Sequence, residues 1–353
     1  MTPISSKFWK GKRVLLTGHT GFKGSWMALW LHRLGASVTG VSLPPITIPN
    51  LFTLAKIQVL TDSHFLDIRD AKGLAALIQK TEPEIIFHLA AQALVRIGYQ
   101  DPLATFATNT QGTANILNSL REIDSVRVVV AVTTDKVYQN LERSTAYIET
   151  DLLGGYDPYS ASKAAAEMVI ACYRDSYLKE KGIAVASARA GNVIGGGDWS
   201  EDRLIPDAIR AWQTKSTLKI RRPQAIRPWQ HVIEPVAGYL NLAHKLWMQP
   251  NLAGAYNFGP NPLEVATVHE VIEQARKTVS GSTVSYDDGD NGPHEAGLLL
   301  LEITKAQQLL GFTPRWRLTE TVKRTMAWYE AQKLGADSRD LCEAEIAAYE
   351  SLK

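Results

Sequence analysis

The segment that decides the fold passes from an apolar run into three glycines, and reads Arg13-Val14-Leu15-Leu16-Thr17-Gly18-His19-Thr20-Gly21-Phe22-Lys23-Gly24. The apolar run predicts a buried β-strand, and the periodic segment 22–34, closed by Gly35, predicts an α-helix. Glycines between a strand and a helix let the backbone approach a pyrophosphate, which the helix N-terminus then meets with free N–H groups and a positive dipole end. The segment therefore predicts a dinucleotide-binding turn with the spacing GxxGxxG.

Short β-branched runs alternate with helical patterns through the first half of the chain. They predict strands at residues 13–17, 37–41, 64–67, 85–89, 127–133 and 184–188, and helices at 22–34, 71–80, 102–122 and 159–181. This alternation is typical of βαβ units, so we expect an α/β fold with a doubly wound, Rossmann-type parallel sheet.

Beyond Arg189 the pattern changes, because glycines and prolines interrupt shorter elements before a late helix at 318–333. We expect a second, smaller substrate-binding lobe there. The predicted division is a dinucleotide domain at 1–189, which also receives about residues 231–257, and a smaller lobe at 190–353 that is interleaved with it.

Composition excludes several classes of function. The 353 residues carry 38 Lys and Arg against 36 Asp and Glu, a balance that argues against a nucleic-acid or membrane surface. Cys172 and Cys342 lie far apart in helical patterns, so we expect reduced thiols and no disulfide framework. The N-terminus shows no signal-peptide pattern and the chain no apolar run of ~20 residues. We expect a cytoplasmic protein without membrane or nucleic-acid partners, and no metal site.

A candidate catalytic set follows the predicted strand at 127–133, in the runs Val132-Thr133-Thr134-Asp135-Lys136-Val137-Tyr138 and Tyr159-Ser160-Ala161-Ser162-Lys163. Tyr159 and Lys163 are four residues apart, so on a helix they share one face. An ammonium beside a phenol favours the phenolate, and we expect Lys163 to lower the Tyr159 pKa. The pair can deprotonate a secondary alcohol while hydride leaves for a nicotinamide.

Asp135 and Lys136 add a second acid/base pair that a simple dehydrogenase does not need. Two proton-transfer systems around one sugar indicate oxidation followed by elimination. On an extended segment adjacent side chains point to opposite faces, which would argue against a direct ion pair between these two residues. The sequence does not give the conformation of this loop, so the question of pairing stays open.

The cofactor side lacks one expected feature. An acidic residue ~20 positions after the glycines should hold the adenosine ribose, but the second strand continues as Val41-Ser42-Leu43-Pro44-Pro45. The glycine motif therefore does not decide between NAD and NADP. Asp67-Ile68, after the third strand, can reach the adenine edge, and Leu89-Ala90-Ala91 stands where loops line a cofactor cleft. We assign the preceding His88 a structural role.

These features, together with Asn109-Thr110-Gln111-Gly112-Thr113, resemble the extended short-chain dehydrogenase/reductases that act on nucleotide sugars, over essentially the whole chain. Within that group, four longer segments resemble the 4,6-dehydratases that act on CDP-glucose. They are 19–24, Gly154-Gly155-Tyr156-Asp157-Pro158-Tyr159, Arg189-Ala190-Gly191-Asn192-Val193-Ile194-Gly195-Gly196-Gly197-Asp198-Trp199 and Ile226-Arg227-Pro228-Trp229-Gln230-His231-Val232.

The resemblance implies NAD as cofactor and a division of labour in the candidate site. Tyr159 would remove the sugar 4-OH proton, Lys163 would hold the nicotinamide ribose, and Thr134 would bond the reacting oxygen. Lys136 would then take the C5 proton and protonated Asp135 would donate to the departing 6-hydroxyl. Hydride would return to C6, giving a 4-keto-6-deoxy sugar in a redox-neutral cycle. Desolvation shifts the pKa values of a base Lys and an acid Asp in the required directions.

The resemblance also implies residues that bind the cofactor and the substrate. The cofactor would contact Gly18, Thr20, Gly21, Phe22, Lys23, Gly24, Asp67, Ile68, Leu89, Ala90, Ala91, Tyr159 and Lys163. Asn192 and Arg227 would contact the substrate diphosphate, Arg203-Leu204-Ile205 would line the nucleotide pocket, and His294 would lie in a loop that closes on the sugar. Leu300 departs from the pattern, because relatives tend to carry a polar, partly cationic stretch there.

Three alternatives share parts of this pattern. A nucleotide-sugar 4-epimerase needs no second acid and base, and a C5-inverting dehydratase of UDP-N-acetylhexosamine also uses an Asp–Lys pair. A non-catalytic NAD-binding protein commonly loses the Tyr or the Lys, both of which are present here. Family members associate through the two long helices at 102–122 and 159–181, so we expect a homodimer or a homotetramer.

Overall fold

The protein is described by a computed structural model covering residues 4–261, 264–286 and 297–352. Its strands in chain order are β1 (Arg13–Thr17), β2 (Ser37–Ser42), β3 (Asp62–Phe65), β4 (Ile85–His88), β5 (Val128–Val132), β6 (Ala184–Ala190), β7 (Val193–Ile194), β8 (Thr217–Ile220), β9 (Ile226–Arg227), β10 (Gln230–His231), β11 (Gly254–Phe258), β12 (Ala266–Thr267) and β13 (Thr283–Tyr286).

The α-helices are α1 (Ser6–Trp9), α2 (Phe22–Arg33), α3 (Leu51–Leu54), α4 (Ala71–Thr81), α5 (Val95–Gln100), α6 (Pro102–Phe106), α7 (Gly112–Ser119), α8 (Pro158–Tyr173), α9 (Leu204–Gln213), α10 (Ile233–Met248), α11 (Val268–Arg276), α12 (Leu318–Lys333) and α13 (Ser338–Glu350). Among the described residues, none of these helices is long and apolar enough to span a membrane.

Seven strands form one parallel sheet in the order β11-β6-β5-β4-β1-β2-β3. The order reverses beside β1, as in doubly wound dinucleotide-binding folds. The expected α/β fold with a Rossmann-type sheet is therefore confirmed. The shared edge at the carboxyl ends of these strands is where a ligand is expected in such a sheet.

Both faces of the sheet are buried. Along β5, Val128 and Val130 belong to one hydrophobic cluster, with residues of α2 and α10, whereas Val129 belongs to another, with residues of α4 and α7. Side chains of a strand alternate between faces, so an all-apolar strand such as β5 requires helices on both sides. This arrangement holds the strand ends that carry the candidate site in a fixed frame.

Most element bounds agree with the sequence, and three differ in informative ways. The helix expected at 159–181 begins at Pro158, and its helical part ends at Leu178 after a π-helical turn at Arg174–Leu178. The strand at 13–17 is confirmed residue for residue, but the strand expected at 64–67 is wrong by two positions, since β3 spans Asp62–Phe65. The helix expected at 102–122 is helical throughout but divided, with a π-helical turn at Ala107–Gln111 between α6 and α7.

The smaller part of the structure is built from three two-stranded pairs, β10-β7, β12-β9 and β13-β8, with α9 and α11. After β10 the chain returns from this smaller part to the large sheet. There α10 packs on β5 and β6, and β11 pairs with β6. The C-terminal α13 also reaches back, where Glu350 accepts a hydrogen bond from the Trp30 indole of α2 at 2.9 Å. The boundaries expected for the two lobes stay a prediction.

Candidate active site

A cleft of about 1300 Å³ opens at the carboxyl ends of the central strands and is closed on its other side by the smaller lobe. Every sequence-predicted site residue within the described ranges lines it: Gly18, Thr20, Gly21, Phe22, Lys23, Gly24, Asp67, Ile68, Leu89, Ala90, Ala91, Thr134, Asp135, Lys136, Tyr159, Lys163, Asn192, Arg203, Leu204, Ile205 and Arg227. His294 lies outside the described residues. The structure brings these residues together in one cleft. The role of each residue stays a prediction.

The glycine turn after β1 is shaped for a ligand that approaches the backbone. Gly18 has φ +77°, and a Cβ there would lie 2.7 Å from the Ala90 nitrogen. A Cβ on Gly24 would lie 2.0 Å from the Gly18 carbonyl oxygen, so side chains are excluded at both positions. Helix α2 begins at Phe22, directly after Gly21, and has no acidic residue in its first turn. Its N-terminus therefore fits the pyrophosphate of a dinucleotide.

A buried hydrogen-bonded chain fixes the loop after β4. His88 bonds Thr17 through Nδ1 at 2.7 Å and Thr113 through Nε2 at 3.0 Å. The Thr17 hydroxyl also accepts from the Leu89 and Ala90 amides. Burial lowers the pKa of His88 to about 3, which keeps the ring neutral. This supports a structural role for His88, which holds the cofactor-side loop against β1.

Hydroxyl groups lie at the end of β2, where the sequence lacks the expected carboxylate. Thr20 Oγ1 lies 2.7 Å from Ser42 Oγ and donates to the Leu43 carbonyl at 2.9 Å. Asp67 is held by the Arg69 guanidinium, whose hydrogen bonds lower the Asp67 pKa. The Asp67 side chain is thus fixed by Arg69 at this end of the cleft.

Helix α8 presents the Tyr and Lys of the candidate site on its buried face. The helix begins with a reciprocal cap, in which the Ser160 amide donates to Asp157 Oδ1 and the Asp157 amide donates to Ser160 Oγ. Tyr159 and Lys163 are 7% and 5% exposed, and Lys163 Nζ donates to the Val132 carbonyl at 3.1 Å.

The expected lowering of the Tyr159 pKa is wrong for this structure. Burial raises the pKa of Tyr159 to about 12, and contact with the Thr134 hydroxyl offsets only part of that effect. Burial also lowers the pKa of Lys163 to about 8. Both shifts have one cause, because the charged form of each group loses solvation inside the protein.

The segment between β5 and α8 carries the second acid/base pair on a 3₁₀ turn, Asp135–Val137. Thr134 caps this turn and donates to Asp135 Oδ1 at 2.9 Å. The segment is therefore a turn and not extended, and the charge of Lys136 acts on Asp135, since it opposes the rise of the Asp135 pKa. Burial outweighs it, so the Asp135 pKa is raised overall.

Asp135 has the environment of a proton donor. It is 2% exposed, and within the part of the chain that the structure describes its Oδ2 atom has no hydrogen-bond partner. A buried carboxylate oxygen without a partner favours the protonated form. Its environment thus matches the acid role implied for it.

The substrate side of the cleft contributes cations from the smaller lobe. Arg227 on β9 is 7% exposed, donates to the Ile226 and Gly297 carbonyls, and its charge acts on Asp135. Arg203, directly before α9, donates to Asp198 Oδ2 at 3.4 Å, and its charge acts on Tyr159. Both side chains therefore lie within electrostatic range of the acid/base groups.

Sequence reasoning missed a bridge across the cleft mouth. Asp202 Oδ1 lies 3.1 Å from Arg96 Nη1 on α5 and 3.9 Å from Arg221 Nη2 after β8. Isolated charges in loops usually face solvent, so the sequence carried no signal for this contact. Nothing in the sequence indicated that Lys23 contacts α10, where its Nζ donates to the Tyr239 hydroxyl at 3.4 Å.

The chain matches a known protein family and a similar protein over nearly its whole length. Residues 15–325 match the family model described as GDP-mannose 4,6 dehydratase. The chain is 44% identical to a CDP-glucose 4,6-dehydratase of Salmonella typhimurium over 99% of both chains.

Solved structures show the same fold at lower identity. A UDP-glucose 4-epimerase from Stenotrophomonas maltophila, with NAD and a formylated UDP-arabinopyranose, is 21% identical with a TM-score of 0.80, covering 92% of this chain and all of that one. A dTDP-glucose 4,6-dehydratase from Bacillus anthracis in complex with NAD is 22% identical with a TM-score of 0.77, covering 92% of this chain and 98% of that one.

Proposed function

We propose that this chain, which belongs to the family described as GDP-mannose 4,6 dehydratase, converts CDP-glucose into CDP-4-keto-6-deoxyglucose and water with NAD as cofactor. One observation carries the proposal. Tyr159 and Lys163 share a single cleft with Asp135 and Lys136, so an oxidising pair stands beside an eliminating pair. An epimerase needs only the first pair, as does a plain dehydrogenase.

The residues present fit a nicotinamide dinucleotide. Gly18 and Gly24 form a cradle that a Cβ would fill, and the N-terminus of α2 stands open to an anion. Bound NAD would accept the hydride of C4 and return it to C6, so turnover needs no external oxidant. NAD is preferred to NADP because the related structures compared above hold NAD.

The oxidising pair handles the proton of the 4-hydroxyl. Tyr159 takes it as phenolate, and Lys163 supplies the positive charge that stabilises the phenolate. Thr134 holds the reacting oxygen. The Tyr159 pKa of about 12 disfavours the phenolate in the protein without cofactor and substrate. Positive charges in the complex with cofactor and substrate therefore have to lower the Tyr159 pKa.

The eliminating pair acts once C4 is a ketone, because the carbonyl makes the C5 proton acidic. Lys136 takes that proton, and Asp135 gives its own proton to the departing 6-hydroxyl, which leaves as water. The raised Asp135 pKa favours the protonated form that this step needs. Lys136 thus gains one proton and Asp135 loses one. When hydride returns to C6, a proton that has exchanged with solvent is restored to C5, which leaves Lys136 neutral again. Solvent also reprotonates Asp135 and takes up the proton that Tyr159 removed from the 4-hydroxyl, so each group returns to its starting state.

The cytidine diphosphate assignment rests on the Salmonella relative. Arg227 and Asn192 would contact the diphosphate, for which a guanidinium is well suited. The departure at Leu300 falls in a segment where Leu299 lines the cleft and the Leu300 carbonyl accepts a backbone bond from Tyr147 at 2.9 Å. Base recognition is assigned to the 203–206 segment.

Purified protein incubated with CDP-, UDP-, dTDP- and GDP-glucose tests this assignment, with the 4-keto product followed by mass spectrometry. We expect the highest kcat/KM with CDP-glucose. The product should be lighter than its substrate by one water, about 18 mass units. Tyr159→Phe serves as the matched inactive control. A C4 epimer of unchanged mass would favour a 4-epimerase, and faster turnover of another nucleotide would overturn the CDP assignment alone.

We propose further that the protein acts in the cytoplasm as a homodimer or homotetramer. Both cysteines are free thiols, as is usual in a reducing compartment. Leu103 and Phe106 on α6 and Met168 on α8 expose apolar side chains, Leu103 to 82%. Light scattering of wild type and of Leu103→Glu tests this association, and an unchanged mass in the variant would contradict the use of this face.

A further inference from the structure

A third ionisable residue continues the row of Tyr159 and Lys163 along α8. Glu167 follows Lys163 by four residues, so the three side chains share one helix face. Glu167 is 4% exposed, and a buried carboxylate is costly unless it is bonded and paired.

Both oxygens of Glu167 are bonded. Oε1 accepts from the Thr133 hydroxyl, and Oε2 accepts from the Ser187 hydroxyl at 2.7 Å and from Arg189 Nη2 at 2.8 Å. The ion pair with Arg189 is buried, with both side chains 4% exposed. Glu167 thus ties α8 to the end of β5 and to β6.

Arg189 extends this connection across the segment that carries the second acid/base pair. Its Nη1 donates to the Tyr138 hydroxyl at 3.0 Å and to the Glu149 carbonyl at 3.1 Å. Thr133 precedes Thr134-Asp135-Lys136 and Tyr138 follows it closely. The Glu167–Arg189 pair therefore holds both ends of this segment.

Glu167 also supplies the favourable charge for Lys163. Burial lowers the Lys163 pKa to about 8, and the Glu167 carboxylate acts in the opposite direction. The other groups that face Lys163 do not replace it. Lys23 on α2 carries the same charge sign, His88 at the end of β4 is neutral, and Tyr159 on α8 is held as a phenol.

Positive groups also face Glu167 from the elements packed against it. Arg189 pairs with it from β6, Lys163 lies one turn before it on α8, and the charge of Arg174, after the end of α8, is coupled to it. Three cations therefore surround the Glu167 carboxylate.

We propose that Glu167 is a positioning residue that joins the two proton-transfer pairs, because its carboxylate keeps Lys163 charged and, through Thr133 and Arg189, fixes the turn that carries Asp135 and Lys136. This inference rests on the proposed oxidation by Tyr159 and Lys163. It assigns no contact with substrate to Glu167.

Glu167→Gln tests the charge, since glutamine keeps the size and an acceptor oxygen. Lys163 must be protonated to stabilise the Tyr159 phenolate, and it loses its proton as pH rises. Its pKa therefore sets the alkaline limb of the pH profile of kcat. Without the carboxylate this limb should move to lower pH by about 0.5–1 unit, which lowers kcat on that limb by roughly three- to tenfold. Ser187→Ala is the matched control, because it removes one bond to the same carboxylate and no charge. Its alkaline limb should stay in place.

Two further variants separate charge from folding. Glu167→Asp should restore most of the wild-type limb. The double variant Glu167→Gln with Arg189→Met removes both buried charges, so it carries the test if the single variant does not fold. It should keep the shift, because Lys163 still lacks its counter-charge. A double variant with the wild-type limb, or an equal shift in Ser187→Ala, would overturn the proposal.

The role proposed for Glu167 and the proposed function can be contradicted independently. The kcat profiles are measured with whichever nucleotide hexose the wild type turns over best, by steady-state formation of the 4-keto product. A wild type that oxidises no nucleotide hexose contradicts the proposed function. An active wild type whose alkaline limb is unmoved by Glu167→Gln contradicts the role of Glu167 only.

Discussion

Asp135→Asn should slow turnover strongly and at the same time stabilise the fold. Asp135 is 2% exposed, its Oδ2 has no hydrogen-bond partner in the described part of the chain, and burial raises its pKa. Asparagine keeps the acceptor for Thr134 and carries no charge. Burial of a carboxylate whose hydrogen bonds are incomplete costs at least about 1–3 kcal/mol, and removal of its charge in a chain of 353 residues should raise Tm by about 1–4 °C. Loss of the general acid should lower kcat by about 10²–10⁴-fold.

The pH dependence of this gain has a definite sign. The folded-state pKa of Asp135 lies above its unfolded value, so wild-type stability is lost as pH rises and the carboxylate ionises. The variant should therefore gain most at about pH 7 and nothing below the unfolded pKa of ~3.9. Calorimetric scans of both proteins over this range measure the difference.

Asp175→Asn is the control for the same chemical change. Asp175 is exposed and bonded to Arg174, which lowers its pKa, so its loss should leave stability unchanged or slightly lower. If Asp135→Asn instead lowered Tm at neutral pH, Asp135 would be a paired carboxylate. The argument for a protonated acid would then fail.

Three further substitutions divide the site into its parts. Tyr159→Phe should lower kcat by about 10²–10⁴-fold without formation of reduced nicotinamide, and near-native turnover would show that the phenol is not the C4 base. Lys136→Met should spare oxidation but block loss of water, so rapid mixing should show reduced nicotinamide accumulating, and a silent variant would contradict this order of steps. Arg227→Ala should weaken CDP-glucose and CDP alike, by about 10- to 150-fold in calorimetric titrations. Arg276→Ala, at an exposed surface pair, is its control, and an equal loss there would refute the diphosphate contact.

The sequence predicted the parts of the fold that local pattern determines. Strand β5 is apolar at every position, and such a run requires cover on both faces. The edge strand β3 lacks that pattern, since none of its residues is buried, which explains its displaced bounds. Strand β11 was not predicted as a strand because its sequence, Gly254-Ala255-Tyr256-Asn257-Phe258, starts with a glycine and contains no β-branched residue.

The candidate site was predictable where a motif fixes the chemistry and not where distant charges meet. The glycine turn and the Tyr159 and Lys163 pair are local patterns. The contacts of Asp202 with Arg96 and Arg221 depend on how the smaller lobe folds over the sheet. The Tyr159 pKa was misjudged for a related reason, because helix spacing gives the distance to Lys163 but not the burial that outweighs it.

Conversion of CDP-glucose in deuterated water tests the central claim, that elimination across C5 and C6 follows oxidation at C4. Lys136 removes the C5 proton in this account, and the hydrogen restored to C5 comes from solvent. The 4-keto-6-deoxy product should therefore carry deuterium at C5, read by proton NMR, while the hydrogen that left C4 appears at C6. A product that retains its original C5 hydrogen would contradict the elimination.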